Sequence, residues 1–255
     1  MTFMPFVTAG DPSVEATAAV LKSLRDAGVD LIELGFPYSD PIADGPVIQA
    51  SYTRALDCGV TVESILEMMA GLKDENLPPI LAMVSFAIVF RYGVEDFARK
   101  ASEVGFSGLI IPDLPADEAD EFAATAKASG LDLVQLIAPT TTAERTLQIL
   151  NASSGFVYCV SVAGTTGVRQ ELPPELTEQL SSLRNSTDLP LAVGFGISGP
   201  DQVATLEGVA DGVIVGSAIV RLVADASSTE AAAAAVGDFA KTMQTAVQGV
   251  RPSQR

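Results

Sequence analysis

The chain predicts a single (β/α)₈ barrel over residues 1–248, on three observations. Eight short apolar runs rich in β-branched residues recur along its 255 residues, segments of helical period separate them, and no composition break or linker divides the chain. Near-continuous apolar strands need cover on both faces, the condition of a parallel sheet, and eight strand–helix units closing on themselves make a barrel. An open doubly wound sheet is the alternative. It expects a GxGxxG fingerprint after the first strand, where this chain reads TAGDP.

In chain order the strands are expected at Phe3–Thr8, Asp30–Leu34, Pro79–Val84, Gly108–Ile111, Leu133–Ile137, Phe156–Val160, Pro190–Val193 and Gly212–Val215. The helical period between them is carried by Val14, Ala18, Leu21 and Leu24 in the first segment, and by Val62, Ile65, Leu66 and Met69 in a later one. Expected starts are Asp11 before Pro12, Thr141 with Glu144 three residues on, and Ser198 before Gly199–Pro200. Expected ends are Gly28, Gly59 and Gly130. An Ala-rich helix from Thr229 to about Val247 closes the fold, and residues 249–255 are expected to fray.

Composition excludes several functions. The formal net charge is −17 and the fifteen Lys and Arg are scattered, so no basic stripe meets a nucleic acid. An anionic substrate would have to be held locally, by backbone N–H groups and helix N-termini. No apolar run approaches a membrane span, and MTFMPFVTAGDP lacks the basic start and continuous apolar core of a signal peptide, so a cytoplasmic protein is expected. Cys58 and Cys159 support neither a zinc site nor a disulfide framework, and both read as half-buried small apolar residues. There is no histidine, so proton transfer falls to carboxylates, tyrosines or backbone groups.

Barrel active sites sit at the carboxyl ends of strands. Strand two delivers Glu33, whose setting after Leu31–Ile32 would raise its pKa, and the long loop that follows bears Asp40 and Asp44. Two acids there suit general acid–base work. On spacing alone, however, Asp44 before Gly45 reads as a turn former, as do Asp40 and Asp11. Tyr158 on strand six reads first as core. Gly194, Gly196 and Gly216 at the ends of strands seven and eight, with Ser217 opening a short helix, match the usual phosphate position in barrels.

The motifs PFVTAGDP, ELGFPYSDPIADGPVIQ, PDLP, APTT, GFGIS and DGVIVGSAIV, in that family's order, strongly resemble the tryptophan synthase alpha subunit across nearly the whole chain. The resemblance implies a (β/α)₈ barrel that cleaves indole-3-glycerol phosphate to indole and glyceraldehyde 3-phosphate, without metal or cofactor. It further implies an α₂β₂ assembly in which indole passes to a pyridoxal-phosphate-dependent beta subunit. By position it assigns catalysis to Glu33 and Asp44 and substrate orientation to Tyr158. It assigns the phosphate to Gly167, Gly194, Gly196, Gly216 and Ser217, and the indole ring to Phe6, Ile110, Ile137 and Ile214.

Three departures stand against that pattern. Ser85-Phe86-Ala87-Ile88 replaces a Tyr-Asn-Pro run common after strand three, which takes a tyrosine from the indole pocket and an asparagine from the face toward the beta subunit. Val162 stands where bacterial members often have arginine, and the chain opens directly on strand one, without the family's usual short helix. Two alternatives remain: a stand-alone lyase releasing free indole, and a non-catalytic activator of the beta subunit.

Overall fold

In the computed structural model, which describes residues 1–42, 44–115, 118–160, 174–194 and 196–250, eight parallel strands close into a barrel in strict sequence order. The strands are β1 Thr2–Thr8, β2 Ile32–Gly35, β3 Ile80–Met83, β4 Gly108–Ile110, β5 Asp132–Ile137, β6 Val157–Val160, β7 Leu191–Gly194 and β8 Gly212–Val215. Each lies within two residues of its expected bounds. β8 pairs with β1, so no strand edge is left open.

The described helices are α1 Val14–Asp26, α2 Pro46–Asp57, α3 Val62–Gly71, α4 Phe86–Tyr92, α5 Val94–Val104, α6 Ala119–Ala128, α7 Ala143–Ala152, α8 Pro174–Arg184, α9 Ser217–Asp225 and α10 Thr229–Gln248. A 3₁₀ helix, Pro200–Leu206, follows β7. Gly28, Gly59 and Gly130 follow the C-caps of α1, α2 and α6 with φ of 74°, 80° and 75°, the left-handed turn that glycine adopts without a Cβ penalty.

The helix starts correct the expected caps, each because the expected side chain has another partner. Ser13 caps α1, accepting from the Ala16 amide, while Asp11 is taken by Arg54. Thr142 caps α7, while the Thr141 hydroxyl accepts from the Ala138 amide to close the preceding loop. Gly199 opens the 3₁₀ helix without a capping side chain, while the Ser198 hydroxyl donates to Gln202. Cys58 is exposed at the end of α2 rather than half-buried, whereas Cys159 is buried and its thiol pushed up to about 12 by that burial.

Two apolar layers follow from the alternation of side chains across each strand. The outer layer lies between sheet and helices and includes Val7, Leu34, Ala82, Leu109, Val193 and Val215. The inner layer fills the barrel with Met4, Leu81, Ile110, Val134, Tyr158 and Ile214. Inner glycines create the room. A Cβ on Gly212 would stand 2.7 Å from the Met4 methyl, one on Gly108 would stand 2.8 Å from a Leu81 methyl, and one on Gly194 would stand 2.5 Å from Cζ of Tyr158.

Candidate active site

Glu33 and Phe6 are register partners on β2 and β1, so both side chains face the barrel interior near its carboxyl end. Glu33 is fully buried, and neither carboxylate oxygen has a hydrogen-bond partner among the described residues. A charge there has lost water and gained nothing in exchange, so burial alone raises its pKa well above the ordinary 4.5. Burial thereby favours the neutral carboxylic acid over the anion.

Asp44 sits just before α2 in the loop after β2. Its amide bonds to the Pro41 carbonyl, and the Gln49 side chain donates to the carbonyls of both Pro41 and Asp44, pinning the loop to the first turns of α2. Burial raises the Asp44 carboxyl from 3.8 to about 6, so at pH 7 it is mostly ionised. The two acids thus differ in exposure, Glu33 buried and Asp44 half-buried, the arrangement that allows one carboxyl to donate a proton while the other stays anionic.

Tyr158, buried on β6, feels both acids: burial first, then Glu33, then Asp44 hold its phenol well above 10. Its ring lies over Gly194, which is why that strand end carries no side chain. Phe6, Ile48, Tyr52 and Val220 form an apolar collar above the inner layer, where the Tyr38 ring packs on Tyr52 at 5.5 Å. Ile48 and Tyr52 are one helical turn apart on α2. Sequence reasoning passed over both, since i, i+4 apolar residues on a helix announce only a buried face. Their one signal was their place immediately after the Asp44 loop.

Of the four residues expected around an aromatic ring, Ile110 and Ile214 lie in the inner layer and Phe6 in the collar. Ile137 does not join them. It packs in the outer layer, because it has the opposite parity on β5 from the inward Val134 and Leu136.

At the ends of β7 and β8, Gly216 is the N-cap of α9 with no capping side chain, so the amides of that first turn lack a side-chain acceptor. Gly196 has φ of 85° and open space where a Cβ would stand. Gln202 orders this loop: its Oε1 accepts from the Ser198 amide at 2.7 Å and hydroxyl at 3.0 Å, and its Nε2 donates to the Gly196 carbonyl at 3.2 Å. Gly167 and Val162 lie outside the described residues.

Beside the site, Ser85 is buried and caps α4, and the Asp113 carboxylate accepts from both its hydroxyl and the Phe86 amide at 2.7 Å. This is the structural use of the PDLP motif. A recess of about 530 Å³ between α2, α3 and α4, lined by Tyr38, Leu56, Val60, Ile65, Ile88 and Tyr92 among others, lies outside the barrel mouth and includes neither acid.

Comparison with known proteins matches the chain and its fold over nearly their whole length. The family model described as tryptophan synthase alpha chain matches residues 1–248. The tryptophan synthase alpha chain of Rhodopirellula baltica is 45% identical over 256 residues, covering 96% of this chain and 92% of that protein. That of a Synechococcus strain is 48% identical, covering 92% and 88%. Among solved structures, tryptophan synthase subunit alpha from Legionella pneumophila superposes with a TM-score of 0.88 at 35% identity, covering 98% of this chain and 93% of that one. The A-subunit from Pyrococcus furiosus gives 0.88 at 35% identity, with 96% and 98% covered.

Proposed function

The chain belongs to the tryptophan synthase alpha chain family, and from that premise we propose that Glu33 and Asp44 carry its reaction. The activity is a carbon–carbon lyase reaction, the retro-aldol cleavage of indole-3-glycerol phosphate to indole and D-glyceraldehyde 3-phosphate in tryptophan biosynthesis. Family membership favours this partnered enzyme over a stand-alone lyase or a non-catalytic activator.

The observation that carries the assignment is Glu33 on the inner face of β2, fully buried, without a hydrogen-bond partner among the described residues, and with its pKa raised well above 4.5 by that burial. As an acid it delivers a proton to indole C3. As the resulting carboxylate it removes the proton of the hydroxyl on the adjoining side-chain carbon. That carbon becomes the aldehyde as the carbon–carbon bond opens, and its bonding electrons restore the aromatic ring. Ionised Asp44 accepts from the indole N–H and stabilises the positive charge that grows there when C3 is protonated. Tyr158 orients the substrate.

The indole ring rests against Phe6, Ile110 and Ile214. The phosphate takes the uncapped first turn of α9 at Gly216 and Ser217, with Gly196, where a Cβ would meet open space, allowing close approach, and with Gly194 and Gly167 completing the set that the family implies. This local backbone site offsets the long-range repulsion of a chain with net charge −17.

The partner is a beta subunit in an α₂β₂ assembly. Ser85 is buried and held by Asp113, so it is not available to that partner, whereas Phe90 on α4 and Ile42 in the β2 loop are 71% and 91% exposed. Those two residues support docking on this face. Among the described residues no helix is long and apolar enough to cross a membrane, which accords with a cytoplasmic enzyme.

The test is indole release from indole-3-glycerol phosphate by the purified chain, alone and with a beta subunit. Slow turnover alone and faster turnover with the partner are expected. Glu33→Gln and Asp44→Asn should each lose at least about 100-fold in kcat. Full activity in both variants would remove the acid pair from the mechanism.

A further inference from the structure

Tyr52 is the polar group of the collar that this mechanism leaves unused. It is 2% exposed, with its ring packed among Phe6, Ile48 and Val220. A Cβ on Gly35 would stand 2.9 Å from the Tyr52 hydroxyl and 2.6 Å from the Phe6 ring, so hydroxyl and ring edge together fill the space that glycine leaves on β2. Gly35 shares the inner face of β2 with Glu33, two residues earlier. The hydroxyl is therefore brought to the barrel mouth directly above the buried acid, on a helix that begins two residues after Asp44.

Two further observations give the hydroxyl its direction. The charged and titratable groups that act on it are Asp44 and Tyr38 from the β2 loop and Glu33 from β2, with Asp44 weighing most. On Tyr158, across the mouth, the order is reversed and Glu33 weighs more than Asp44. Burial comes first for each phenol, and both acids act on both of them. Burial is the cause that raises each acid, with no Lys or Arg among the described residues acting to favour the anion. Both phenols are held well above 10, so each keeps its proton and can only donate to a neighbouring carboxylate.

We propose that Tyr52 is a positioning residue of the lyase reaction, donating a hydrogen bond to Asp44 in the substrate complex and holding that carboxylate aimed at the indole nitrogen. The inference rests on the role given to Asp44 above. Tyr38, packed on the Tyr52 ring and three residues into the same loop, anchors the loop on the helix that carries the donor.

The test is Tyr52→Phe, which keeps the ring in the collar and removes only the hydroxyl. Expected are a loss of about tenfold in kcat, a KM for indole-3-glycerol phosphate within about twofold of the parent, and an acid limb of the pH–rate profile moved to higher pH. The double variant with Asp44→Asn should be no slower than Asp44→Asn alone, because Tyr52 acts through that carboxylate. An unchanged kcat and acid limb, or losses that multiply in the double variant, would overturn the inference. A readout independent of turnover separates it from the assignment of the reaction: the Asp44 carboxyl followed by carbon NMR against pH with indole present. Tyr52→Phe should raise its midpoint. An unmoved midpoint overturns the role of Tyr52 even if the reaction stands, and a parent protein that leaves indole-3-glycerol phosphate intact overturns the reaction without touching this measurement.

Discussion

Arg54 reaches back from α2 to hold Asp11, in the loop after β1, through two hydrogen bonds of 2.9 and 2.6 Å. The Asp11 side chain is 2% exposed and the arginine 38%, so the pair fastens the helix that bears Ile48 and Tyr52 to the end of the first strand from the protein side. Arg54→Met leaves a buried carboxylate without its partner. Loss of a partner from a buried pair costs about 3–5 kcal/mol, and because this arginine is partly solvated the expected cost is nearer about 2 kcal/mol. Urea unfolding midpoints measure it, and a change under about 0.5 kcal/mol would show the pair to be ornamental.

Gly194→Ala should disturb stability and catalysis together. The new Cβ collides with the Tyr158 ring, which is packed in the inner layer and has no room to retreat. Overpacking of this kind costs about 1–3 kcal/mol. Displacing Tyr158 should also lower kcat/KM, so a thermal melt and steady-state kinetics on one variant report both effects.

Glu33→Gln should trade activity for stability in a pH-dependent way. The folded-state pKa is raised above the unfolded 4.5, so the native protein binds a proton that the unfolded chain releases. The contribution to stability is therefore complete below pH 4.5 and is lost as pH rises toward the folded value, at about 1.4 kcal/mol per pH unit. The glutamine cannot ionise and lacks this loss. It should match the parent below pH 4.5 and exceed it at pH 8, and parallel stability–pH curves would contradict a buried neutral acid.

The pH dependence of kcat/KM should be bell-shaped. Asp44 must be ionised, which places the acid limb at about pH 6, and Glu33 must be protonated, which places the alkaline limb well above 4.5. An acid limb near the ordinary aspartate value would mean that Asp44 is not the group being read.

Ser217→Asp separates ligand binding from folding. A carboxylate in the first turn of α9 suits the helix dipole and should leave stability unchanged or raise it by about 0.3–1 kcal/mol. The same charge repels a phosphate at that turn, so KM should rise by about tenfold or more. An unchanged KM would move the phosphate elsewhere.

The fold was legible because strands buried on both faces read as uninterrupted apolar runs, and that same property hid the facing of individual residues. The run around Ile137 is apolar on both sides, so nothing in Leu136-Ile137 says which of the two looks inward. Caps slipped by a residue or more where another partner claimed the expected side chain, a local one for Thr141 and Ser198 and, for Asp11, Arg54 from 43 residues away. Glu33 stood out because a charged residue interrupts an apolar strand. Asp44 did not, since its loop backbone does form a turn, and only the burial of its carboxyl, a tertiary property, distinguishes it from Asp40. Tyr52 was silent for the same reason, since its hydroxyl is placed by Gly35 on β2, and Gln202 because a side chain folding back six residues onto its own loop leaves no periodic signal.

The vacancies inside the barrel have a consequence for inheritance. Gly108 with Leu81, Gly194 with Tyr158 and Gly212 with Met4 each match an absent side chain on one strand to a bulky one on another. Neither member of such a couple can change size alone without a hole or a clash. In descendants of this chain these positions are expected to mutate as linked pairs, so that sequence drift in the interior advances by compensated double steps while the outer layer drifts one residue at a time.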